Sequence, residues 1–320
     1  MKKNIGKILS IGLPLILGAL LIIYNYNSYT PEEIAVIKSH FINANYEYVI
    51  FSGFLAILGY VFRAYRWKYT LNYVGYQSSF KTNFLAVSIA YFLNLTIPRS
   101  GEVSRALILK KYQDVPFDKG FGTIISERII DLFILILFIL TAVIIEFSTL
   151  KMFLIENIPV YKLIGILAFG LIGFIIFVYL YTQSKWSFIL KLKTKIAGLV
   201  EGALSVFKMP NKWPFMFYTL LIWLTYITMF YCVIFALEDT KNISFGAVVV
   251  AFVIGSLTIT FTNGGFGFFP TLIQKILLLY AVPKEAGEAF GWIVWSSQFI
   301  ITIVIGGLAF VLLPLLHKNK

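Results

Sequence analysis

Six ionisable side chains cluster where one apolar stretch ends and the next begins. "NLTIPRSGEVSR" carries Asn94, Arg99, Glu102 and Arg105, and "ISERIID" carries Glu127, Arg128 and Asp131. Arg99, Glu102 and Arg105 are three apart, so they drift around a helix but share one side. Glu127 and Asp131 are i,i+4 on one face, and Arg128 reaches Asp131 at i+3. Arginine forks pair a phosphate or a carboxylate bidentately. Three guanidiniums and three carboxylates are formally neutral, so each is also a partner for another. Two readings stay open. The arginines contact the phosphate of a lipid head group while the carboxylates orient them or meet an amine. Or the six form an ion-pair network that locks the fold. A buried Glu127 or Asp131 is also a candidate to carry a proton or act as a general base.

These residues sit in a strongly apolar chain. Of 320 residues, 59% are hydrophobic and 13% charged, against roughly a quarter charged in soluble domains. Apolar stretches recur from end to end, so the sequence predicts an all-α polytopic membrane protein, a single domain over 1–320. Six segments are long enough to span a bilayer: about 8–25, 46–64, 120–146, 161–181, 213–237 and 289–314. No strand-type alternation points to a barrel. The N-terminal run is read as an uncleaved first helix, since no small-residue cleavage site follows it.

Two further apolar segments, 82–97 and 244–280, are broken by Gly, Pro and Asn. Lysine and arginine placement decides how they run. If 82–97 enters from the cytoplasm and returns, twenty basic residues fall inside and six outside, with Arg128 in a span. That count places Arg63 and Arg66 in a cytoplasmic loop and both termini in the cytoplasm, in the cell (inner) membrane. It also accounts for most of the net charge of +12 without nucleic acid. The same topology makes 244–280 re-entrant from the opposite face. Two opposed hairpins suggest an inverted repeat with broken helices near the midplane; eight ordinary spans with polar kinks are the alternative. Pro98 and Gly101 mark the first break; Asn263, Gly264, Gly265, Gly267 and Pro270 mark the second. Each returning half-helix would aim its N-terminal N–H groups at the midplane, where an anion is favoured.

Segment 182–212 reads as a basic cytoplasmic amphipathic linker. Its stripe of Ile189, Leu192, Ile196, Leu199, Ala203 and Phe207 lies apart from Lys191 and Lys195. It either lies on anionic lipid or packs on the protein's own inner face. One cysteine, Cys232, and two peripheral histidines, His40 and His317, leave no metal set and no Ser-His or Cys-His pair. No cofactor is expected, and no nucleotide-hydrolysis motif is present.

The N-x-x-x-P-R-x-G-E-x-x-R element (Asn94, Pro98, Arg99, Gly101, Glu102, Arg105), the E-R-x-x-D element (Glu127, Arg128, Asp131) and the late "NGGFGFFP" together resemble the flippase-like transmembrane domain of lysylphosphatidylglycerol synthases. The resemblance covers nearly the whole chain. In fused members that domain is implicated in moving aminoacylated lipid between leaflets, and a separate soluble domain makes the lipid. No such soluble domain is expected here, so the resemblance implies no synthase activity. It implies a lipid translocase, or flippase-like protein, with a membrane phospholipid or other lipid phosphate as partner. An intramembrane transferase on a lipid-linked substrate is the rival. A non-catalytic partner of a separately encoded synthase or glycosyltransferase, or a homo-oligomer, is the third reading.

Overall fold

The computed structural model describes residues 2–97, 99–157, 160–183, 186–187, 189–190, 193 and 206–318. The chain is all-helical: α1 Lys2–Asn27, α2 Pro31–Asn43, α3 Tyr46–Tyr73, α4 Phe80–Thr96, α5 Ser100–Gln113, α6 Phe117–Ile145, α7 Phe147–Asn157, α8 Val160–Gln183, α9 Lys212–Ile234, α10 Phe245–Phe261, α11 Phe268–Leu278 and α12 Lys284–Leu316. Among the described residues, α3, α6, α9 and α12 are each long and apolar enough to cross a membrane. Their outward residues, such as Leu137, Phe217 and Leu308, are exposed as lipid contact demands. It is a multi-pass membrane protein.

Two runs of four helices, α3–α6 and α9–α12, follow one plan. In each, a 17-residue helix opens on a serine cap followed by phenylalanine. Ser79 accepts from the Thr82 N–H, and Ser244 from the Ala247 N–H. Each chain then breaks, and a shorter helix of 14 or 11 residues returns. A left-handed residue follows, Asp114 directly after the first of these helices and Ala281 three residues after the end of the second. A buried valine, Val115 or Val282, and a proline N-cap, Pro116 or Pro283, then open the next long helix.

The hairpins enter from opposite ends. Ser79, before α4, donates its N–H to Gln113 at the close of α5 (3.0 Å). His317, at the end of α12, reaches both legs: Thr82 at 3.2 Å and Gln113 at 3.4 Å. This is the basic end, with Lys81, Lys110, Lys111 and Lys119. At the other end, Glu146 caps α6, lies against Gly246 at the start of α10 and faces Tyr280 after α11. The tips meet inside: a Cβ on Gly264 would lie 3.1 Å from Leu95 Cδ2. Each hairpin has its own core, one around Trp67, Leu71, Leu109 and Ile124, the other around Ile234, Ile273, Leu277 and Phe290.

Several expectations need correction. The span expected at 46–64 runs on to Tyr73, which carries Arg63 and Arg66 into the interior. Short helices α2 and α7 were not expected. Gly101 is no break: it lies inside α5, where a Cβ would come 2.3 Å from the Ala90 carbonyl oxygen, so glycine lets α4 and α5 touch. The first break is taken by Arg99, left-handed at φ 60°; Pro98 lies outside the described residues. In the second break Gly264, Gly265 and Gly267 take positive φ, whereas Asn263 does not. Pro270 sits in the first turn of α11.

Leu192, Ile196, Leu199, Ala203, Lys191 and Lys195 lie outside the described residues. Of the rest of that stripe, Ile189 is buried and Phe207 exposed; further on, Val206 and Met209 pack with Ile130 and Phe215. The segment's far end therefore packs on the protein.

Candidate functional site

The site is built on α3 and α6. Arg63 and Arg66 are one turn apart on the buried face of α3, at 4% and 0% exposure. Asp131 of α6 lies between them. Arg63 Nη1 donates to Asp131 Oδ2 at 2.9 Å; Arg66 Nη1 donates to Oδ1 at 2.6 Å and Nη2 to Oδ2 at 3.1 Å. This is the bidentate fork that arginine makes and lysine does not. One turn earlier on α6, Glu127 receives Arg105 Nη2 from α5 at 2.9 Å, with Arg66 Nε 3.8 Å from its other oxygen.

Aromatic rings and hydroxyl groups surround these charges and hold them in place. The Arg105 guanidinium lies 3.9 Å from the Trp67 ring, and the Trp67 indole N–H donates to Thr123 at 3.0 Å. Arg63 Nε donates to the Tyr226 hydroxyl at 2.7 Å, and Tyr226 and Tyr91 hydroxyls pair at 2.8 Å. Tyr226 is brought by α9, from the second half of the chain. At the rim, Arg128 Nε stands 3.1 Å from Glu102 Oε1 and Nη1 stands 3.7 Å from Asp131.

Arg105, Glu102, Glu127, Arg128 and Asp131 thus converge, as the spacing predicts. Arg99 does not: it is exposed, takes the turn, and makes no ion pair among the described residues. Asn94 lines an inner cavity and also has a structural part. Its amide oxygen accepts the Gly101 N–H at 2.8 Å and caps the start of α5. The residues missed are Arg63, Arg66, Tyr91 and Tyr226. Arg63, Arg66 and Thr70 recur at helical spacing beside Tyr60 and Trp67, a stripe that argues for one buried helix face rather than a loop.

The change alters the charge balance. With Arg99 out and Arg63 and Arg66 in, four guanidiniums face three carboxylates, so the cluster holds one surplus positive charge. Its buried polar atoms are also under-satisfied: Arg66 Nε, Arg105 Nε, Glu127 Oε1 and Glu102 Oε2 have no hydrogen bond. Arg63, Arg105, Arg128, Asn94 and Tyr91 line a cavity of about 10 Å³, room for about one water. A larger cavity of about 140 Å³ opens at the basic end, between Thr70, Tyr73, Lys119, Gly122, Thr123 and Met209. Trp67 and Thr123 stand between the two, since Thr123 lines the outer one and Trp67 carries Arg105 of the inner one. Among the described residues, no group of three His, Cys, Asp or Glu is placed to hold a metal.

The family model described as the lysylphosphatidylglycerol synthase TM region matches residues 9–306. The chain belongs to that family. Every member of the charged cluster lies within the matched region. The chain is also similar to a UPF0104 membrane protein of Methanocaldococcus jannaschii, 26% identical over 300 residues that cover 85% of this chain and 86% of the relative. No solved structure matches it.

Proposed function

We propose that this family member is a lipid translocase whose buried arginine cluster binds the phosphate of a lipid head group. The observation that carries the reading is the surplus positive charge. A buried guanidinium without its own anion is costly, and a phosphate monoanion would neutralise it and engage the unbonded Arg66 and Arg105 nitrogens. The inner cavity has no room for a head group in this conformation, so the conformation is an occluded one. Entry requires the first hairpin and α6 to part, and the 140 Å³ cavity gives an approach from the basic end. Opposed hairpins with meeting tips suit alternating exposure of one central site.

The test is leaflet equilibration in vesicles. Purified protein should speed the crossing of reporter lipids with phosphate in the head group and leave a neutral glycolipid without phosphate unaffected. Equal rates with and without protein, for every phosphate lipid tried, would remove the reading.

The basic end faces the cytoplasm in this proposal. Moving Arg63, Arg66 and Arg105 from loops to the interior takes three from the twenty basic residues, which still far outnumber the six opposite. With Cys232 replaced, Lys110→Cys is expected to label only from the cytoplasm and Lys284→Cys only from outside. Labelling of position 110 from outside would invert the orientation.

A further inference from the structure

A second ionisable group is buried at the opposite end, far from the arginines in the fold. Glu288, in the second turn of α12, is 5% exposed. Its Oε1 accepts the Trp292 indole N–H at 2.9 Å, and the Tyr29 hydroxyl faces the carboxyl. Oε2 has no hydrogen bond. Among the described residues no cation pairs with it. Lys284, one turn before it, is engaged elsewhere: its ammonium is 3.2 Å from Glu33 Oε1 and 4.0 Å from the Tyr29 ring centroid.

The other charged groups nearby are Glu33 on α2 and Glu285 on α12, both acidic, and both bear on Tyr29. α11 carries one cation, Lys275, and it is exposed; the inward groups of α11 are neutral. Thr271 pairs with Asn25 of α1, and Gln274 packs against Gly287.

A buried carboxylate that receives only neutral donors, with further acids nearby and the Lys284 ammonium engaged by Glu33 instead of paired with it, is relieved most simply by a proton. Glu127 and Asp131 differ, because each is held by guanidiniums. We propose that Glu288, rather than Glu127 or Asp131, is the proton-binding site of this protein. The proton comes from water at the end opposite the basic one, past the part-exposed Lys284, and sits on the unbonded Oε2. The site also ties α12 to the α1–α2 connection through Tyr29 and Glu33–Lys284. Protonation therefore removes a charge from the contact that ties the α1–α2 connection to α12.

The experiment uses dicyclohexylcarbodiimide, which adds to a carboxyl only when it is protonated and in apolar surroundings, with the adduct mapped by mass spectrometry. On purified full-length protein the expected adduct is on Glu288 and declines as pH is raised, with Glu127 and Asp131 unmodified. Glu288→Gln should lose it. Intrinsic fluorescence gives an independent readout: Trp292 emission should titrate in wild type and not in Glu288→Gln. A Glu288 that stays unmodified at every pH at which the protein remains folded, or an adduct on Glu127 or Asp131 instead, overturns the proposal. Neither readout depends on lipid movement, so the site and the translocase reading fail separately.

Discussion

Asp131→Ala is expected to lower stability by about 3–5 kcal/mol, the range seen when one partner of a buried ion pair is removed. Two guanidiniums depend on this one carboxylate: Arg63 and Arg66, both almost fully buried. Without it the cluster would hold four positive charges against two negative ones. The measurement is reversible unfolding in mixed micelles. Leu137→Ala on the same helix is the control: Leu137 is 57% exposed on the lipid face and should change stability by no more than about 0.5 kcal/mol. If Asp131→Ala costs no more than that control, the ion pairs at Asp131 do not hold α3 to α6.

Gly267→Ala is expected to destabilise by about 2–4 kcal/mol, through two causes that add. Gly267 has φ +73°, a region that alanine enters only with strain. Its new Cβ would also lie 2.3 Å from the carbonyl oxygen of Gly18, which is backbone and cannot rotate away. α1 would have to leave the tip of the second hairpin. Gly122→Ala should behave in the opposite way. It is a helical position with nothing within 4 Å of the added atom, so alanine should gain roughly 0.5–1 kcal/mol from helix propensity. A Gly267→Ala protein as stable as wild type would mean that α1 does not pack on the tip as described.

Much of this architecture was legible in the sequence because it follows from two strong physical rules. Lysines avoid crossing the membrane outward, which forces 82–97 and 244–280 to turn back. Glycine and proline mark where helices break within them. The inverted repeat was suggested by the two opposed hairpins alone; the paired Ser-Phe openings and Val-Pro hinges that mark it are too short to stand out in the sequence. The charged site was legible in part. Glu127 and Asp131 lie in the middle of an apolar run, where a charge must have a reason. Arg63 and Arg66 were missed because they sit near the end of theirs, followed by Lys68 and a polar stretch that resembles a loop. Arg99 was overcounted for the converse reason: its spacing matches Arg105, but the turn it makes points it away from the network.

The most direct test of the central claim removes the surplus charge and little else. Arg128 is 34% exposed at its side chain, so Arg128→Gln should keep the fold while leaving three guanidiniums against three carboxylates. Leaflet equilibration of a phosphate-bearing reporter lipid in vesicles, with unfolding followed on the same preparation, separates the two effects. The expected result is a stable protein that moves phosphate lipid no faster than empty vesicles do. A stable Arg128→Gln protein that moves it at the wild-type rate would show that the surplus charge does not bind the head group.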